Sequence, residues 1–154
     1  MKTLIVYFTI SGNTKRTAQI IQSHTGADLF EIKVAKPYDY NVSRIRVLME
    51  MATGCDVDLV SLPDHIDEYD TVFIGSPLWI NTCAPAIISF MNKVDLSGKT
   101  VIPFVTHGGG GIGSVQRTVE KYCPNSKVLD GIALPGASAT DAQVQKWLKN
   151  IGIR

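Results

Sequence analysis

Thr9-Ile10-Ser11-Gly12-Asn13-Thr14 is the stretch on which the reading of this chain turns. It follows the apolar run Leu4-Ile5-Val6-Tyr7-Phe8, the pattern of a strand buried on both faces. A helical pattern is expected after it from about Lys15 to Ser23, with Thr14, Ala18 and Ile21 at i, i+4 and i+7 and Thr25-Gly26 as its end. Such a turn has two readings. A helix N-terminus carries unpaired N–H groups and the positive end of the macrodipole, so with hydroxyls beside it the turn is a phosphate cradle. Ser, Thr and Asn are also the preferred caps, and an ordinary capped turn has the same composition.

Outward from this turn the pattern alternates. Leu29 to Val34 reads as a second strand whose charged alternate positions suggest a sheet edge. Val42, Ile45, Leu48, Met49 and Ala52 fall at helical spacing, with Asn41 as the expected N-cap and Gly54 as the C′ residue. Residues 55–69 carry little pattern beyond a short extended piece at 57–60. Strands are expected at 71–75 and 100–106, and a helix beginning at Pro85 lies between them with Ile87, Ile88, Met91 and Val94 on its apolar face. Pro103 lacks an N–H, so one neighbour of its strand should pair only partly. Val115, Val119 and Tyr122 mark a fourth helix, and 128–134 a last strand broken or bulged at Asp130-Gly131. Thr140 and Gln143 form a capping-box pattern ahead of Val144, Trp147, Leu148 and Ile151. Five strands alternating with five helices make a single α/β domain over residues 1–154, with a parallel sheet and right-handed crossovers.

Composition narrows the function. With 154 residues, 45% hydrophobic and 19% charged, the chain has the size and balance of one ordinary globular domain. A net charge of +1 without a basic run gives no reason to expect nucleic acid or an anionic membrane as partner. Lys2 before an apolar run superficially suggests a signal peptide, but the run is too short and has no cleavage-like site, so it reads as a strand. Nothing approaches transmembrane length. Cys55, Cys83 and Cys123 lack C-x-x-C spacing and read as free thiols, which fits a cytoplasmic protein. His24, His65 and His107 show no metal-ligand spacing, and no G-x-S-x-G elbow is present.

Ligands of open parallel sheets sit outside the carboxyl ends of the strands, at the topological switch point. Three unusual loops are expected there: residues 9–14, then Ser76-Pro77-Leu78-Trp79-Ile80-Asn81-Thr82, then Thr106-His107-Gly108-Gly109-Gly110-Gly111-Ile112-Gly113. A hydroxyl-rich turn, an aromatic loop and a bare-backbone loop suit a ligand with a phosphate at one end and a flat polar-edged ring at the other. Gly108, Gly110 and Gly113 also satisfy the spacing of the dinucleotide fingerprint, with Asp130 downstream. They come late in the chain, however, and Asp130 falls within a strand, so this match is weak.

The Thr9-x-Ser11-Gly12-Asn13-Thr14 stretch, standing directly after the first strand, resembles the phosphate loop of the flavodoxin family, T/S-x-S/T-G-x-T. The resemblance extends from Lys2 to the last helix and is to the short-chain type. It implies a flavodoxin-like doubly wound five-stranded parallel sheet in the order 2-1-3-4-5, with helices on both faces, and FMN as cofactor. By that resemblance the phosphate sits on Thr9, Ile10, Ser11, Gly12, Asn13 and Thr14. The ring would lie between Pro77, Leu78, Trp79, Ile80, Asn81 and Thr82 on one side and Thr106, His107, Gly108, Gly109, Gly110 and Gly113 on the other, with Trp79 stacking on it.

The chain departs from that family in three ways. The glycine loop offers no second aromatic, leaving one ring face open or covered by Ile112, Tyr38 or a neighbouring subunit. Dedicated electron carriers of the family tend to be acidic, and this chain is at +1. The family often places Gly where a peptide beside flavin N5 flips on one-electron reduction. Here the 76–82 loop has none, and Asn81 is its residue best able to adopt positive φ, which favours two-electron chemistry. His107 could hydrogen-bond the ring or simply cap its loop, Cys83 reads as a small buried thiol, and Lys15 and Arg16 either aid the phosphate or face solvent. The resemblance implies an electron-transfer flavoprotein acting with a redox partner protein. The alternative is an NAD(P)H-dependent quinone or FMN reductase acting on a small quinone-like substrate. A binding domain that has lost the flavin is a third reading, which the intact turn, Trp79 and glycine loop oppose.

Overall fold

Alternation along the first strand sorts the interior into two halves. The structure, a computed structural model, describes residues 2–153. In β1 (Thr3–Tyr7), Ile5 and Tyr7 face one layer of helices while Leu4 and Val6 face the other, because successive side chains of a strand point to opposite sides. α1 (Asn13–Thr25) and the C-terminal α5 (Asp141–Asn150) cover the first face, packing Ala18, Ile21, Val144, Trp147 and Leu148 over Phe73, Ile102 and Phe104. α2 (Arg44–Ala52), α3 (Pro85–Lys93) and α4 (Val115–Tyr122) cover the second.

The sheet runs β2 (Asp28–Glu31), β1, β3 (Thr71–Trp79), β5 (Thr100–His107), then β6 (Lys127–Val128) and β7 (Ile132–Pro135) along the far side of β5, all parallel. β4 (Thr82–Cys83) is a stub paired antiparallel to the end of β3. With that stub set aside and β6 and β7 taken as one interrupted strand, this is the expected order 2-1-3-4-5.

The interruption follows from Pro103. The β3 ladder runs through Ile74↔Pro103 without a break, so the missing N–H faces the other neighbour, where pairing stops between β6 and β7. Gln116 of α4 fills the gap: its amide donates to Leu129 O (3.1 Å) and accepts from Gly131 N–H (2.9 Å). A Cβ on Gly131 would lie 2.6 Å from Pro103 O, so the strand crosses at a distance only glycine allows.

Several expectations need correction. α1 begins at Asn13 rather than Lys15 and runs to Thr25, because Gly12 turns the chain in the left-handed region (φ 92°) and the following residues are already helical. β2 ends at Glu31. Val34 instead forms an antiparallel bridge with Leu59, so the extended piece expected at 57–60 pairs with the continuation of that edge. α2 is capped by Ser43, whose hydroxyl accepts from Arg46 N–H, and not by Asn41. Its expected apolar face is turned outward: Ile45 and Met49 are 71% and 65% exposed, and Val47 is its buried residue. A polar clamp sets that rotation. The Arg46 guanidinium lies 3.8 Å from the Tyr38 ring centroid, donates to the carbonyls of Lys36 and Pro37, and pairs with Glu50. The clamp holds the Arg46, Val47 and Glu50 side of the helix against the body. Pro85 at the start of α3 and the Thr140–Gln143 box at the start of α5 are as expected.

Candidate functional site

The switch point of this sheet lies between β1 and β3, and the chain leaving β1 there is the 9–14 turn. Thr9 Oγ1 accepts from Gly12 N–H (2.9 Å), folding the turn on itself. Gly12 is the N-cap of α1 and no side chain caps the helix. The first intrahelical bond runs from Arg16 N–H to Gly12 O (2.9 Å), which leaves the amides of Asn13, Thr14 and Lys15 without helical partners. Of the two readings of this turn, the ordinary self-capped one is therefore not what forms. Thr14 is 1% exposed and its hydroxyl shares a hydrogen bond with that of Thr106 (2.8 Å), which ties the turn to β5. Ser11 is exposed, as are Lys15 and Arg16.

A cavity of about 240 Å³ opens over this helix end, lined by Thr9, Ile10, Ser11 and Thr14, by Tyr40 and Val42, and by Pro77 and Trp79. It is slightly smaller than the roughly 300–1,000 Å³ usual for small-molecule sites. Three larger depressions lie elsewhere, between the ends of α1 and α5, beside α2, and between β7 and α5. The small cavity is the one with a polar, anion-suited floor.

Trp79 is not on a loop. β3 continues through Ser76, Pro77 and Leu78 to Trp79 and turns back at Ile80-Asn81 into β4, with Trp79 opposite Thr82. Both turn residues have positive φ, 47° and 67°, as a two-residue type I′ hairpin demands. Asn81 tolerates this conformation, whereas Ile80 is β-branched and strained there by about 1–2 kcal/mol. The Trp79 ring is held edge-on by Phe8 (5.5 Å) and Tyr38 (5.0 Å), so its orientation is set before any ligand arrives. Leu78 and Ile80, with Val42, Arg44, Val47 and Trp79, line a second hollow of about 210 Å³ beyond the Trp79 ring. Thr82 bonds the Thr118 hydroxyl (2.7 Å) and so faces α4. Ser76 is buried and accepts from Ala84 N–H, a structural role.

The third expected loop packs against this hairpin. Asn81 O accepts from both Ser114 N–H (2.8 Å) and Ser114 Oγ–H (2.7 Å). A Cβ on Gly113 would lie 2.6 Å from that same carbonyl, so glycine is required for the approach. Gly108, Gly109 and Gly110 are exposed. His107 Nδ1 accepts from Gly109 N–H (2.9 Å), which is the loop-capping role. Thr106 lies beneath the turn, and the 106–113 loop does not line the 240 Å³ cavity.

Thus the structure brings Thr9, Ile10, Ser11, Thr14, Pro77 and Trp79 together around one cavity, with Gly12 and Asn13 in the same turn. It sets Leu78, Ile80, Asn81, Thr82 and the glycine loop around the hairpin beside it. Tyr40 and Val42 line the cavity and were not foreseen; the Tyr38-x-Tyr40 aromatic pair was their only signal. Gly136, just past β7, was also missed: it stands where a Cβ would be 3.0 Å from Asn13 Nδ2.

Two tyrosines and two cysteines nearby are held in their neutral forms. Burial, then the Glu31 carboxylate, pushes Tyr7 up to about 12. Burial and the hydrogen bond to Glu50 raise Tyr38 further. Burial also lifts the Cys83 thiol to about 12 and Cys123 to about 11, so neither is a reactive thiolate near neutral pH. Among the described residues no cluster suits a metal ion, and no helix is long and apolar enough to cross a membrane. What the site offers chemically is open amide donors at the helix end and an aromatic side chain, Trp79, in the cavity wall.

Comparison with known proteins agrees with this fold. A candidate flavoprotein from Bacteroides eggerthii DSM 20697 superposes with a TM-score of 0.87 at 32% identity, over 99% of each chain. A flavoprotein from Lactobacillus acidophilus NCFM, solved in complex with FMN, gives 0.75 at 25% identity, over 95% of this chain and 97% of that one. A flavodoxin from the domain Archaea, at 20% identity and a TM-score of 0.58, shares the fold. No curated protein matches. The flavodoxin family model matches residues 2–151, nearly the whole chain and every element around the cavity, and the protein belongs to that family.

Proposed function

We propose that the protein binds FMN at the β1/β3 switch point and serves as a redox protein that passes electrons through it. The observation that carries this reading is the uncapped N-terminus of α1, whose free amides floor a cavity walled by Trp79. The residues fit the cofactor. Three helical amides and the Ser11 hydroxyl offer donors to a phosphate, and the macrodipole favours its charge. Trp79, braced by Phe8 and Tyr38, offers an aromatic face to the ring. Bound FMN would supply the electron-transfer chemistry, while the chain binds it, orients it and shields one face. The free, buried cysteines fit a reducing cytoplasm.

The near-neutral charge supports a second reading, an NAD(P)H-dependent quinone or flavin reductase, because a carrier docking on basic partners gains from a strongly acidic face. One experiment separates these. The purified protein should show the absorption of a bound flavin and quench added FMN fluorescence; a colourless protein that leaves FMN fluorescence unchanged would sink both readings. With flavin bound, rapid NAD(P)H oxidation by a quinone without added reductase marks the enzyme, and its absence marks the carrier.

A further inference from the structure

We infer that Tyr40 is the second aromatic contact of the flavin site, supplied by the connection between β2 and α2 rather than by the glycine loop. This rests on the FMN reading above. The glycine loop carries no aromatic side chain, and it packs on the hairpin instead of lining the cavity. Tyr38 is already committed: it is 8% exposed, packed edge-on to Phe8 and Trp79, covered by Arg46 and bonded to Glu50. Tyr40 is the opposite case. It is 79% exposed, yet it lines the same cavity as Thr9, Ser11 and Trp79.

The backbone around Tyr40 makes this placement dependable. On one side, Arg46 donates to the carbonyls of Lys36 and Pro37, and the Tyr38 ring is buried under the guanidinium. On the other, Ser43 caps α2. The segment is pinned at both ends and its apex residue stands at the cavity mouth. An aromatic side chain so placed gains by closing on a flat ligand, since tyrosine has few rotors to immobilise and much apolar area to bury. The clamp that turned the apolar face of α2 outward thus also fixes the start of the segment that carries Tyr40.

The test is FMN and riboflavin titration by fluorescence quenching, with iodide accessibility of the bound flavin, on wild type, Tyr40→Ala and Tyr40→Phe. Tyr40 is so exposed that its removal should leave the thermal stability of the flavin-free protein unchanged. Tyr40→Ala should weaken FMN and riboflavin alike, by about tenfold, and raise iodide quenching, while Tyr40→Phe retains wild-type values. Unchanged affinity and accessibility in Tyr40→Ala would overturn the inference, as would a loss confined to FMN, which would make the hydroxyl a phosphate contact. If wild type itself fails to bind FMN, the functional reading falls and takes this inference with it. If wild type binds and Tyr40→Ala is indistinguishable from it, only the inference falls.

Discussion

The N-termini of α1 and α5 lie in the same helical layer and solve the same problem in opposite ways. α5 closes itself: Thr140 Oγ1 accepts from Gln143 N–H (3.2 Å), Gln143 Oε1 accepts from Thr140 N–H (2.9 Å), and Asp141 in its first turn bonds His24 at the end of α1 (2.8 Å). α1 begins in a turn with more hydroxyls than that, yet none of them caps it. Thr9 bonds Gly12 N–H, Thr14 bonds Thr106, and Ser11 faces out. One helix end is finished by the protein; the other is left with its donors open. Polar residues at a helix start therefore do not by themselves indicate a cap, and where their hydrogen bonds go is what separates a cap from a binding site.

Substitutions should break this contrast in a graded way. The largest effect is expected from Asn13→Asp, which puts a carboxylate in the first turn of α1. Apo stability should rise by about 0.3–1 kcal/mol through the dipole, while FMN affinity falls by roughly a hundredfold or more from like-charge repulsion. Riboflavin, lacking the phosphate, should be little affected. Thermal melts and paired titrations read both, and an equal loss for the two ligands would show that this helix end does not hold the phosphate. Next comes Ser11→Ala combined with Thr14→Val, which should weaken FMN more than riboflavin by about tenfold to a hundredfold. Because the Thr14 hydroxyl is bonded to Thr106, Thr106→Val serves as the control: it breaks the same bond and should leave the FMN-to-riboflavin ratio near wild type.

At α5 the signs reverse. Thr140→Ala should lower stability by about 1 kcal/mol, a fall in Tm of roughly 2–4 °C for a domain of this size, with FMN affinity unchanged. Asp141→Asn should have the smallest effect, under about 1 kcal/mol, since its side chain is largely exposed. A change in flavin affinity from either would tie α5 to the site and erase the distinction between the two ends.

Local signals in the sequence proved readable and distant ones did not. β1, its turn, the capping box of α5 and the Pro85 start of α3 are each specified within a few residues. Even the gap in the last strand was legible, because a proline's missing donor has to be accommodated somewhere. α2 misled because its buried side is held by Arg46, Glu50 and Tyr38, a polar arrangement that hydrophobic periodicity does not register. The hairpin at Ile80-Asn81 was hidden because a β-branched residue is unfavourable at positive φ and gives no turn signal. Of the cavity, the wall formed by the turn before α1 could be read from one contiguous motif. Tyr40 could not, since its position depends on a clamp formed by a helix that follows it.

The outward face of α2 has a practical side. Ile45, Leu48 and Met49 form an adhesive strip on a molecule whose isoelectric point is about 7.7, so near that pH little net charge keeps two copies apart. Colloidal behaviour should accordingly be poorest in the mildly alkaline buffers most often used for purification. It should improve at pH 6, where added positive charge restores repulsion without altering the fold.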